Sequence, residues 1–139
     1  MGKVYSAQNV AAYVIYELNE VKEFVNACSI QQILADVNTM WQNVFGHVAF
    51  SETTHDLQTA GYIVKEVADE YQELGTAHIV EPAKEWFLKY GEFQLVQRPY
   101  AVPNFSAIEA IVMRKILAAY RLRTYNAVNV AVYNRSTKH

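Results

Sequence analysis

Apolar residues recur after Ser6 at the spacing of a single helical face. Val10, Val14, Leu18, Val21 and Val25 stand on that face, and Glu17, Glu20 and Glu23 turn elsewhere. Ser6 is the expected N-cap. A second helix is expected to open at Ser29, which has capping-box spacing to Gln32, and to run through Ile30, Ile33, Leu34, Val37, Trp41 and Val44 before stopping at Gly46. Its other faces carry amides and one charge, Asp36, so it reads as a central helix covered on more than one side. His47 to Phe50 reads as a strand or extended link, and polar Ser51 to Asp56 as a loop.

From Gly61 to Gly75 the spacing of Ile63, Val67, Tyr71 and Leu74 predicts a third helix with an acidic outer side. His78 to Val80 reads as extended. Pro82 stands where a first helical residue would, predicting a short helix over Lys84 to Tyr90 that carries Trp86 and Phe87. The alternation of Phe93, Leu95 and Gln97 with Gln94 and Val96 predicts a strand ending at Pro99. Ser106 and Glu109 form a second capping box ahead of Ile108, Ile111, Val112, Ile116 and Ala119, which predicts a helix to Tyr120. Residues 125–133 fit either period and are read as helix; residues 134–139 are read as frayed. Together these elements predict a mainly α fold: one compact helical domain over residues 1–139, with a small antiparallel β element.

Composition agrees with this reading. Apolar residues make up 52% of the 139 positions, enough to build a core, and only 5 Gly and 3 Pro interrupt the chain, which favours long elements. Ten tyrosines and two tryptophans exceed what a small core encloses easily, because a buried phenol needs a hydrogen-bond partner, so some should reach the surface and serve an interface.

Charge changes the picture more. The net formal charge of −2 hides 13 acids against 5 bases in residues 1–97, net −8, and 7 bases against 1 acid in residues 98–139, net +6. Such asymmetry points to a charged partner or to internal docking. In the basic helical part, residues 102–139, Arg114, Lys115, Arg121, Arg123 and Arg135 are interleaved with Tyr120, Tyr125 and Tyr133, a mixture able to contact phosphates and bases. The acidic remainder would repel a polyanion, so internal packing or a protein contact is favoured over nucleic acid.

Catalytic patterns are not evident. His47, His55, His78 and His139 lack metal-ligand spacing, and the glycines form no phosphate-binding loop, so no metal and no cofactor are expected. A small hydrolase, third in order, would need His55 or His78 joined to carboxylates in a concave site. Cys28 reads as a buried, inert thiol. No apolar run is long enough for a membrane span, and Met1 to Tyr5 lacks a signal-peptide core, so a cytoplasmic protein is expected. Met1-Gly2 with Ser6 fits the short myristoylation pattern, but Ser6 reads better as the helix cap.

Two segments resemble the Panacea antitoxin domain family, often called phage-associated proteins. Ile30-Gln31-Gln32-Ile33-Leu34, then Met40-Trp41, Phe45-Gly46 and Ala49-Phe50, are similar in order and spacing to that family's Leu-Gln-Lys-Leu-Leu helix, aromatic stretch, Phe-Gly and short extended Leu-Phe. The run Ala60-Gly61-Tyr62-Ile63-Val64-Lys65-Glu66-Val67-Ala68-Asp69-Glu70-Tyr71 is similar to the family's Tyr-Gly-Pro-Val and Pro-Glu-Val-Tyr signature. Tyr62 and Lys65 stand where the signature has proline, and Ala60 where it has tyrosine, so the chain resembles a divergent member over its first 75 or so residues. The resemblance implies a helical, non-catalytic module from a phage, prophage or bacterium that neutralises a toxin, or a host factor, by direct protein binding. The partner-binding residues expected on this basis are Trp41, Gly61, Tyr62, Glu66, Glu70 and Tyr71. Arg114, Lys115, Arg121 and Arg123 are the candidate basic contacts of the nucleic-acid alternative.

Overall fold

A computed structural model describes residues 2–52, 54–57, 61–89, 91 and 94–137, without the side chains of 54–57, 61–63, 89 and 124–137. The fold is mainly α with small β elements, in the order α1 (Ala7–Glu20), α2 (Ala27–Phe45), β1 (Thr54–Leu57), β2 (Gly61–Val64), α3 (Lys65–Tyr71), a 3-10 turn (Gln72–Leu74), β3 (Lys84–Lys89), β4 (Gln94–Pro99) and α4 (Ala107–Thr137). β1 pairs antiparallel with β2, and β3 with β4, as two separate hairpins.

The apolar face expected on the first helix is in the core through Leu18, but α1 stops at Glu20. Lys22 takes a left-handed φ of 59°, and the Glu23 N–H donates to the Leu18 carbonyl at 2.8 Å, so the chain reverses there. Val21 is therefore exposed, whereas Val25, beyond the helix, is buried by the returning segment, where its carbonyl accepts from the Ile79 N–H at 2.8 Å. Ser6 does occupy the N-cap position but makes no cap bond of its own. Glu52 supplies it from across the fold: its carboxylate accepts from the Ala7 N–H at 2.8 and 3.0 Å and from the Ser6 hydroxyl at 2.8 Å.

The N-cap of α2 lies three residues before the expected one. Asn26 is the N-cap, its Oδ1 accepting from the Ser29 N–H at 2.8 Å, and Ser29 lies inside the first turn. The C-terminal stop is at Gly46, which adopts φ 79°, a conformation that L side chains take at a cost. α2 is central as expected, packing on α1, α3, α4 and β2. Ile30, Ile33, Leu34, Val37 and Trp41 are buried, while Val44 is exposed. The extended link after Gly46 forms one parallel bridge, Tyr5 with Phe50.

Three element expectations are overturned by strand pairing. The segment read as a polar loop contains β1, and the first four residues of the expected Gly61 to Gly75 helix form β2, so that helix begins only at Lys65. Gln31 of α2 holds the junction: its side-chain amide donates to the Val64 carbonyl at 3.1 Å and accepts from the Val64 N–H at 2.9 Å. Lys84 to Lys89 is strand β3 rather than helix. Its residues oppose Gln94 to Pro99 one for one, with Phe87 against Val96 and Leu88 against Leu95, and an isolated two-turn helix has too few internal hydrogen bonds to compete with that ladder. The strand expected to end at Pro99 is β4; Phe93 and Tyr90 lie outside the described residues.

The capping box at Ser106 is formed. The Ser106 hydroxyl accepts from the Glu109 N–H at 3.3 Å, and the Glu109 carboxylate from the Ser106 N–H at 2.8 Å. The backbone of α4 continues as helix to Thr137, through the ambiguous 125–133 and into the segment read as frayed; residues 138 and 139 lie outside the described residues. Among the described residues no helix is long and apolar enough to cross a membrane.

Candidate functional site

The acidic body and basic tail do meet, but charge is not what holds them. Val112, Met113, Ile116, Leu117 and Tyr120 of α4 are buried in the common core, and the Tyr120 hydroxyl donates to the Phe24 carbonyl at 2.6 Å. Each fully buried apolar side chain contributes roughly 1.5–3 kcal/mol. Among the described residues two ion pairs join the tail and the body, Arg121 with Glu23 at 3.6 Å and Arg123 with Asp36 at 3.0 Å; their side chains are partly exposed, and such pairs contribute about 0–1 kcal/mol.

The four candidate basic contacts are all exposed but do not share one face. At about 100° per residue, Arg114 and Arg121 fall on one side of α4 and Lys115 and Arg123 on another. The first pair borders a cleft against α1 with Tyr13 and Glu17; the second borders a cleft against α2 with Asp36 and Met40. A nucleic-acid reader that tracks a phosphate backbone needs its cations on one surface.

The acids of α3 and of the 3-10 turn that follows it lie elsewhere. Glu66, Asp69, Glu70 and Glu73 are exposed, and among the described residues none of them pairs with a base. Glu70 and Glu73 line an open groove of about 740 Å³ whose far wall is Glu81, Pro82 and Lys84, where the chain enters β3. Among the described residues, the tail's ion pairs therefore engage Glu23, just after α1, and Asp36 of α2, and none engages this surface.

The expected partner-binding residues divide accordingly. Glu66 and Glu70 are on the surface, one helical turn apart. Gly61 and Tyr62 belong to β2, and the Tyr62 side chain lies outside the described residues. Trp41 and Tyr71 are corrected from contact residues to core residues, at 1% and 2% exposure. Trp41 packs edge-on to Phe45 and Tyr5, and its Nε1 donates to the Lys3 carbonyl at 2.8 Å. The Tyr71 hydroxyl accepts from the Ala83 N–H at 2.9 Å and so pins the segment that leads into β3. Burial pushes the Tyr71 phenol up to about 12 against the opposing pull of that N–H, with the Glu70 charge adding to the rise.

Among the described residues the histidines do not assemble a reactive centre. His78 Nδ1 accepts from the Val25 N–H at 3.1 Å and its Nε2 meets Asn19 Oδ1 at 2.8 Å, so the ring ties the segment before β3 to the end of α1 and to the chain that follows it. The His55 side chain and His139 lie outside the described residues, and among those described no cluster of His, Cys, Asp or Glu is arranged to hold a metal. Cys28, expected to be buried, is exposed in the first turn of α2, because the helix starts earlier than its apolar face suggests.

Two carboxylates have structural work that their sequence positions announce only in part. Glu109 is 1% exposed and accepts from the Lys3 N–H at 2.8 Å, the Tyr5 hydroxyl at 2.7 Å and the Ser106 N–H at 2.8 Å. Burial pushes the carboxyls of Glu109 and Glu52 up, but these donors and the Ala7 N–H and Ser6 hydroxyl outweigh it and hold both below the ordinary value of 4.5. A depressed folded-state value means the unfolded chain takes up protons first. The contribution of these groups is complete above about pH 4.5 and is lost as pH falls through their lowered values. Melting temperature should therefore drop steeply below pH 4.5, and a Glu52→Gln/Glu109→Gln chain, less stable at pH 7, should show a visibly flatter fall; an unchanged slope would assign acid lability to other groups.

Comparison with family models, with curated proteins and with solved structures finds no match to this chain.

Proposed function

We propose that this chain is a non-catalytic, cytoplasmic protein-binding module, antitoxin-like in the sense of the Panacea resemblance, that neutralises a toxin or host factor by direct contact. The observation that carries the reading is the exposed acidic surface of α3, whose acids pair with no base among the described residues, while Arg121 and Arg123 of the tail pair with Glu23 and Asp36. An acidic surface left open attracts a basic partner and speeds its encounter. Arg114, Lys115, Arg121 and Arg123 of α4, split over two sides and with Arg121 and Arg123 engaged in ion pairs, favour a structural role for that helix over nucleic-acid contact.

The test is co-expression with the product of each adjacent gene in a bacterial host. One neighbour should arrest growth alone and be relieved by this chain. Glu66→Lys/Glu70→Lys should bind that neighbour at least tenfold more weakly and lose the relief while melting like the parent chain. Relief and binding unchanged by the double reversal would remove α3 from the contact, and the absence of any binding neighbour would overturn the module reading.

A further inference from the structure

Between the core segment at Ala83 and the connector at Tyr100, the β3–β4 hairpin packs chiefly on itself. It is anchored at its base by the Ala83 N–H to Tyr71 bond and by the Tyr100 N–H, which donates to the Ala83 carbonyl at 3.1 Å. Side chains alternate across a strand, so Lys84, Trp86 and Leu88 share one face with their cross-strand partners Pro99, Gln97 and Leu95. On the opposite face Arg98 lies 4.1 Å from the centre of the Phe87 ring and pairs with Glu85 at 2.9 Å, which closes that side with its own charges. Among the described residues the first face has no such cover: Trp86 is 64% exposed, Leu88 54% and Leu95 63%.

A tryptophan and two leucines on one side of a two-stranded hairpin are a costly arrangement in water, since such a hairpin is marginal alone and gains nothing from exposing its largest apolar groups. Tryptophan is also the side chain most enriched at binding hot spots. The face is continuous with the acidic groove, because Lys84 is both the first residue of β3 and part of the groove wall opposite Glu70 and Glu73. Two exposed apolar side chains of the groove, Leu74 and Val80, extend the apolar character towards α3.

The geometry points to a bipartite docking surface: Trp86, Leu88 and Leu95 take large apolar side chains of a partner protein, and Glu70, Glu73 and Glu81 take lysines or arginines next to them in its sequence. Charge selects this occupant. The acids at the hairpin base repel nucleic acid and an anionic membrane, and a second copy of the chain would bring the same acids against themselves. This inference rests on the reading of the chain as a protein-binding module and assigns the chemistry of what it binds.

The chain's only tryptophans are Trp41, which is buried, and Trp86, so Trp86 reports occupancy directly. The probe is a synthetic peptide, Leu-Phe-Leu-Phe-Lys-Lys-Lys-Lys, titrated into the full chain at 150 mM salt. Trp86 emission should move to the blue and saturate at one peptide per chain. Binding should be at least tenfold weaker for the peptide with four glutamates in place of the lysines, and for the one with four serines in place of the apolar residues. Leu95→Ser should weaken it tenfold, and Glu70→Lys/Glu73→Lys/Glu81→Lys should reverse the preference between the lysine and glutamate peptides; both chains must melt like the parent. Equal affinity for all three peptides, binding of none, a blue shift on anionic vesicles, or concentration-dependent self-association abolished by Leu95→Ser would each overturn the inference. The two readings fail separately. If Trp86→Ser and Leu95→Ser leave relief by this chain of a growth-arresting neighbour intact and Glu66→Lys/Glu70→Lys abolishes it, the hairpin inference falls and the module stands. If no neighbouring product binds, the module reading falls whatever the peptides do.

Discussion

Replacing Glu109 by alanine should remove about 3–5 kcal/mol of stability, a large part of the roughly 5–15 kcal/mol available to a domain of ordinary size. The residue is an exposed-looking capping-box glutamate in the sequence, yet the folded chain buries it and directs three donors at it, from Lys3, Tyr5 and Ser106. Truncation leaves those donors enclosed without an acceptor, and each buried unsatisfied group costs about 1–3 kcal/mol. It also unties the N-terminal segment from the start of α4, two regions more than a hundred positions apart. The measurement is urea denaturation with the slope unchanged and the midpoint lowered. Tyr5→Phe, which removes one of the three donors, should lose only about 1 kcal/mol. In the parent chain, burial, the hydrogen bond to Glu109 and its charge hold the Tyr5 phenol up at about 12, so its ultraviolet titration should be displaced upward and should return towards the ordinary value in Glu109→Gln. A loss below about 1 kcal/mol in Glu109→Ala would show that water replaces the carboxylate.

Trp41→Ala should cost a similar amount, about 3–5 kcal/mol, the usual range for deleting a buried large aromatic side chain. The indole is the hub of an aromatic cluster, with ring centres 4.9 Å from Phe45, 6.3 Å from Tyr5 and 6.4 Å from Phe105. Its loss opens a cavity and also leaves the Lys3 carbonyl without its donor. Trp41→Phe retains most of the packing and should lose about 1–2 kcal/mol. The control that separates a core role from a contact role is binding by the folded variant: Trp41→Phe should bind the partner like the parent chain, whereas Trp86→Ser should melt like the parent and bind poorly. The opposite pattern would return Trp41 to the surface role that its place in the family-like segment implied.

The contrast between the two tryptophans shows where sequence reasoning reached its limit. Trp41 sits on a helical face with Ile30, Ile33, Leu34 and Val37, so its burial follows from the same 3.6-residue period that identified α2. Trp86 sits in Lys84 to Lys89, too short a run to distinguish a strand from a helix by period, and the element type was decided by pairing with Gln94 to Pro99, where Trp86 meets Gln97. The same holds at Gly61 to Val64, where helical spacing runs on into a segment that β1 claims. Candidate acids on α3 were legible because an amphipathic helix shows its polar side in its own sequence; that Glu70 and Glu73 would face Glu81 across a groove was not, because that depends on Tyr71 holding Ala83.

Local periodicity, helix stops and composition thus determined by themselves that the chain is mainly helical, that α2 lies at its centre, that α4 begins at a Ser/Glu box and that charge is divided between body and tail. Only the tertiary structure decided that Glu52 caps α1 from forty-five residues away, that Glu109 is buried, that both hairpins exist and that Arg121 and Arg123 of the basic tail pair with Glu23, just after α1, and Asp36 of α2. The division has a physical basis. A helix satisfies its backbone within a few residues and displays its buried face in its own period, whereas strand pairing, remote caps and charge coverage are satisfied by groups distant in the chain, which come together only when the core closes.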